Sequence, residues 1–99
     1  MGYNTQYTLS WEVENFELPL DFQEKTNLTK EERFSTYQSW NSHEDDMKKL
    51  SLLYPEIVFT LHGVGDEFED IWYKYFKNGK MQETRATFVY DNYDEAKLK

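Results

Sequence analysis

The chain has 99 residues and a mass of 12.0 kDa, the size of a single domain. Eleven Lys and Arg against nineteen Asp and Glu give a formal charge of -8 and a pI near 4.7. That balance excludes a nucleic-acid or anionic-lipid binder working through bulk basic charge, and the lack of cysteine excludes a disulfide framework, a thiolate zinc site and a cysteine nucleophile.

Mean hydropathy is low at -0.92, but three Trp, eight Tyr and seven Phe supply a core. Each such side chain can bury roughly 150–250 Å². Charge-rich disorder is poor in these residues, so a folded domain is expected. No apolar run approaches the roughly 20 residues of a membrane span. Met1-Gly2-Tyr3-Asn4 lacks the start of a signal peptide, and the expectation is a cytoplasmic protein.

In chain order, Tyr7, Leu9, Trp11 and Val13 alternate with polar residues and predict a half-buried strand. From Glu14 to about Lys30 the pattern supports a short helix or packed loop around Pro19. The first 24 residues hold five acids and no Lys or Arg. Arg33 to Trp40 reads as a second strand, with Phe34, Thr36, Gln38 and Trp40 on one face. A helix over about 42–53 follows, capped by Asn41 with Glu44 completing a capping box. Met47, Leu50, Leu53 and Tyr54 form its apolar stripe, and Pro55 ends it.

Ile57 to His62 predicts a third strand, followed by a turn at Gly63-Val64-Gly65-Asp66. Ile71–Phe76, Asn78-Gly79 and Met81–Tyr90 form the clearest hairpin, because Asn-Gly between strand formers specifies a type I′ turn. That turn fixes the register: Lys77 faces Lys80, Phe76 faces Met81, Tyr75 faces Gln82, Lys74 faces Glu83, Tyr73 faces Thr84, Trp72 faces Arg85 and Ile71 faces Ala86. The face carrying Ile71, Ala86 and Phe88 is assigned to the helix side because it buries no charge. Trp72, Phe76, Met81 and Arg85 are then expected on the outer face, as an apolar-and-Arg patch suited to binding protein. Residues 91–99 read as a charged tail. The fold class expected is α+β: an antiparallel or mixed sheet of four or five strands, backed by the 42–53 helix and a second short one.

Chemistry is sparse. His43 sits in a helix first turn without zinc-helix spacing, and His62 ends a strand within reach of Asp66 or Asp70. The acids Asp66, Glu67, Glu69 and Asp70 lack the alternation of a calcium loop. No phosphate loop, nucleophile elbow or triad is present, so no catalytic residue, cofactor or metal is expected and function is assigned to a surface.

The stretch SHEDDMKKLSLLYPEIVFTLHGVGDEFEDIWYKYFKNGKMQ resembles a group of small, mostly uncharacterised proteins of bacteriophages and bacterial mobile elements. Their shared pattern is HEEDM, then LSxx[FY]P, FTLxGxG and DIWxxYFKNGK. The resemblance implies a ferredoxin-like domain of phage type, differing here in the Pro19 segment, Val64 and Phe68. A small, acidic, phage-type domain without catalytic residues suggests an anti-CRISPR-like inhibitor in the host cytoplasm, whose partner is a CRISPR effector or other nuclease. Carboxylates of such a protein occupy a channel meant for phosphates, without direct contact to nucleic acid or membrane. The candidate binding residues are Glu12, Glu14, Glu17 and Asp21, then Asp66, Glu67, Glu69 and Asp70 beside Trp72, Phe76, Met81 and Arg85. The alternative is a non-inhibitory interaction domain that forms homo-oligomers through the outer face of the hairpin or an open sheet edge.

Overall fold

The computed structural model describes residues 3–67, 69–86 and 94–98. Its elements in chain order are β1 (Thr5–Trp11), α1 (Leu20–Thr26), β2 (Ser35–Gln38), α2 (His43–Leu53), β3 (Phe59–Gly65), β4 (Ile71–Lys77) and β5 (Lys80–Arg85), with a 3₁₀ turn at Glu95–Lys97. The five strands form one open sheet in the order β2-β1-β3-β4-β5, every neighbouring pair antiparallel. Among the described residues the architecture is therefore α+β, with two α-helices.

The core lies between the helices and one face of the sheet. Tyr7 and Leu9 from β1, Phe59 and Leu61 from β3, and Trp72 and Phe76 from β4 are buried beneath Met47 and Leu50 of α2. Leu18, Leu28 and Trp40 close the same core from the connecting segments. The period-two signals place these residues correctly along β1 and β3.

Several boundaries differ from the sequence expectation. β1 begins at Thr5 and ends at Trp11, leaving Val13 exposed beyond it. β2 is only four residues long because Arg33 and Phe34 adopt left-handed backbone angles, φ 56° and 55°, which no strand accommodates. Helix α2 is capped by Ser42 rather than Asn41, and no side chain completes a capping bond; the Ser42 hydroxyl donates instead to Asp46. Leu53 is exposed, so the apolar stripe is Met47 and Leu50, with Tyr54 half-buried.

The predicted turn at Gly63-Val64-Gly65 is the second half of β3. Gly63 pairs with Trp72, whose indole lies where a Cβ would stand, 2.1 Å from that position. A glycine in mid-strand here is a passage for a neighbouring ring.

The hairpin register is as expected from Trp72–Arg85 to Lys77–Lys80. Asn78 and Gly79 have φ of 49° and 78°, both positive as a type I′ turn requires. The face assignment, however, is reversed. Trp72 and Phe76 are buried against the helices, and Met81 packs on the core edge, while Tyr73 and Tyr75 are exposed on the opposite side. The reason is Lys74, which shares the inner face and was expected to forbid its burial. Its ammonium lies 2.7 Å from Glu44, 2.7 Å from His43 Nε2 and 4.0 Å from Glu83, and 4.3 Å above the Trp72 ring. A buried charge with such partners is tolerated. Phe88 and the rest of the 87–93 segment lie outside the described residues.

Candidate functional site

Trp72 and Phe76 lie in the core, so the hairpin contributes its other face to the outer surface of the sheet. Alternation along the strands gives that face Gln6, Thr8 and Ser10 from β1, Thr60, His62 and Val64 from β3, Tyr73 and Tyr75 from β4, and Gln82 and Thr84 from β5. His62 stacks on Tyr73 with ring centres 4.4 Å apart, and Tyr73 lies 6.4 Å from Tyr75 with nearly parallel planes. His62, expected to end a strand within reach of Asp66 or Asp70, instead lies within β3 and takes part in this cross-strand stack. Tyr73 is 43% exposed, so the stack is a surface feature rather than a second core.

At one end of the sheet, β3 leaves through an acidic turn to β4. The Gly65 N–H donates to the Asp70 carbonyl at 2.7 Å, and the Asp66 N–H to the Asn4 carbonyl at 3.2 Å. The Tyr3 hydroxyl donates to Asp70 Oδ2 at 2.8 Å and accepts from the Glu67 N–H at 2.7 Å. A Cβ at Gly65 would stand 2.3 Å from that hydroxyl, so glycine allows the phenol to enter the turn. Asp66 accepts from the Tyr37 hydroxyl, and Asp70 also from the Arg85 guanidinium at 3.0 Å. The Tyr3 hydrogen bond and the Arg85 charge hold the Asp70 carboxyl below its ordinary range. Asp66, Glu67 and Glu69 are exposed; Tyr3 accepts from the Glu67 N–H and Tyr37 donates to the Asp66 carboxylate.

The N-terminal acids lie elsewhere. Glu12, Glu14 and Glu17 follow β1, and Asp21 is in the first turn of α1; all four are exposed. Thr5 pairs with Gly65 and Trp11 with Phe59, so the two acidic groups sit at opposite ends of β1. Six strand steps of about 3.3 Å separate those ends by about 20 Å. The candidate residues therefore divide into an exposed acidic turn with Arg85, a separate exposed acidic segment, and a buried pair, Trp72 and Phe76, with Met81 half-buried beside them.

The interior carries two polar networks that sequence reasoning missed. Burial alone would raise the Asp46 carboxyl, but hydrogen bonds from the Trp40 indole, Lys25 and Ser42, all at 2.8–2.9 Å, hold it below the usual carboxylate range. This carboxylate ties α1, the Trp40 loop and α2 together. His43, expected in a solvated helix start, instead packs among Tyr7, Trp40 and Trp72. Its Nδ1 donates to the Trp40 carbonyl at 2.9 Å, which leaves Nε2 to accept from Lys74. Burial and the Lys74 charge both push its pKa below the ordinary histidine value, and the Lys74 ammonium lowers that of Glu44.

Among the described residues no cluster of three or more His, Asp or Glu is placed to hold a metal, and no helix is long and apolar enough to cross a membrane. No protein-family model matches the chain, and neither a curated protein nor a solved structure does.

Proposed function

We propose that the protein is a non-catalytic, phage-type inhibitor that binds a basic, nucleic-acid-handling enzyme of a bacterial host, a CRISPR effector or another nuclease. It acts in the host cytoplasm through protein contact, touching neither nucleic acid nor membrane. The observation that carries this reading is the acidic turn. Glu67 and Glu69 are exposed beside Asp66 and Asp70, whose carboxylates are held by Tyr37, Tyr3 and Arg85, and the Glu67 N–H donates to Tyr3. Carboxylates already held by hydrogen bonds lose little conformational freedom on binding, and their charge steers association with a basic channel. The net charge of -8 adds to that steering. The helix-backed antiparallel sheet supports only the general α+β class that the resemblance implies, and the resemblance of residues 42–82 to phage proteins supports the origin.

The experiment is capture of host proteins on the immobilised chain, followed by activity assays of the captured enzyme. Inhibition that weakens with added salt and is lost in Glu67→Lys/Glu69→Lys supports the reading. Full inhibition by that charge-reversed variant overturns it.

A further inference from the structure

We propose that the outer face of the sheet is a self-association surface, on which a second copy of this chain docks about a two-fold axis parallel to the strands. The inference stands on residues at the end of the sheet opposite the acidic turn. Lys77 pairs with Lys80, Phe59 with Phe76, and Trp11 with Phe59. Continuing the last two registers by one step places Glu12, Val58, Lys77 and Lys80 in a single row across β1, β3, β4 and β5. The grooves along the row bear this out. Glu12 and Glu56 line one groove beside Val58 and Tyr75; Lys77 and Lys80 line another beside the same two residues. The row thus runs from acid, through an apolar centre, to base. Neither the three charged groups of the row nor Glu56 beside it has an ion-pair partner among the described residues.

A two-fold axis along the strands, between β3 and β4, reverses this row in the second copy while keeping its height. Glu12 then faces the second copy's Lys80, and Val58 faces the stem of its Lys77, with both contacts repeated on the other side of the axis. Such an isologous contact is self-complementary in charge. The same operation lays Tyr75 over the second copy's Thr60 and Tyr73 over its His62, in the aligned stacking of two sheets about 10 Å apart. Val58 is 46% exposed and Tyr75 36%, and this packing covers both. Four strands at about 4.8 Å and a length of about 20 Å give a flat face of roughly 400 Å², so the dimer is weak and concentration-dependent.

Sedimentation equilibrium from about 10 µM to about 1 mM tests this, the range in which a weak contact populates. The weight-average mass of the parent should rise from 12.0 kDa toward twice that value. Glu12→Lys/Glu56→Lys and Lys77→Glu/Lys80→Glu should each remain near the mass of one chain when alone, and an equimolar mixture of the two should associate again. These four positions are exposed, so the urea midpoint of each variant is expected to match the parent and confirms that it is folded. A parent that stays monomeric throughout, a single variant that still dimerises, or a mixture that does not re-associate overturns the proposal.

Discussion

Substituting Gly63 by Ala probes the placement of Trp72 directly. A Cβ at this position would lie 2.1, 2.3 and 2.6 Å from three atoms of the Trp72 indole, where carbon atoms rest at about 3.5–4.0 Å. The ring must therefore move by more than about 1 Å, and it is held on several sides. His43 stacks on it at 5.4 Å and 17°, Lys74 lies 4.3 Å above it, and the Tyr7 ring meets it edge-on at 6.0 Å. Overpacking of this kind costs about 1–3 kcal/mol, and the lower entropy of the unfolded alanine chain returns about 0.4–1 kcal/mol. A net loss of about 1.3 kcal/mol lowers Tm by about 5–10 °C in a domain of this size. Trp72→Phe removes the three clashing atoms, so adding it to Gly63→Ala should recover at least about 1 kcal/mol beyond additivity. Thermal melts of the two single variants and the double variant give that coupling. If Gly63→Ala melts with the parent, Trp72 does not cross β3 and the inner face of the hairpin is misassigned.

Leu50→Ala and Phe59→Ala should each destabilise by about 2–5 kcal/mol in urea, because both side chains are buried between α2 and the sheet; unchanged midpoints would separate the helix from that face. Gly79→Val should cost at least about 1 kcal/mol, since φ is 78° at this position, and a melt like the parent's would exclude the type I′ turn. Stability should also fall in mild acid. The folded pKa of His43 lies below the unfolded value of about 6.5, so the folded state binds fewer protons. Its contribution is complete above that value and is lost as pH falls through the lower folded one. Glu44, Asp46 and Asp70, whose folded pKa values are also lowered, add losses that begin further down, near about pH 4. Urea midpoints taken from about pH 7.5 to 5 should drop in the parent and flatten in His43→Gln; a flat parent profile would refute the His43–Lys74 geometry.

The hairpin and the helix over 43–53 were legible because their signals are local: Asn-Gly fixes a register, and Pro55 stops a helix. Which side of the hairpin faces inward was not legible, because it turns on three partners of Lys74. Glu44 and His43 are about thirty residues away in sequence, and nothing at position 74 announces them. The sequence context of Gly63 reads as a turn, the commoner use of glycine, and only the Trp72 ring across the ladder reveals its role. The acids of the candidate site were legible as types and as exposed groups. Their division between opposite ends of β1 follows from strand pairing, which a linear pattern does not contain. The same is true of the row from Glu12 to Lys80, whose members come from four strands.

The most direct measurement of the proposed function is the affinity of the captured host enzyme for a labelled nucleic acid, read by fluorescence anisotropy as the protein is added. The account predicts that the parent displaces the nucleic acid, that displacement weakens as salt rises, and that Glu67→Lys/Glu69→Lys does not displace it. Nucleic acid that stays bound at saturating parent protein, or that the charge-reversed variant displaces equally well, would contradict it.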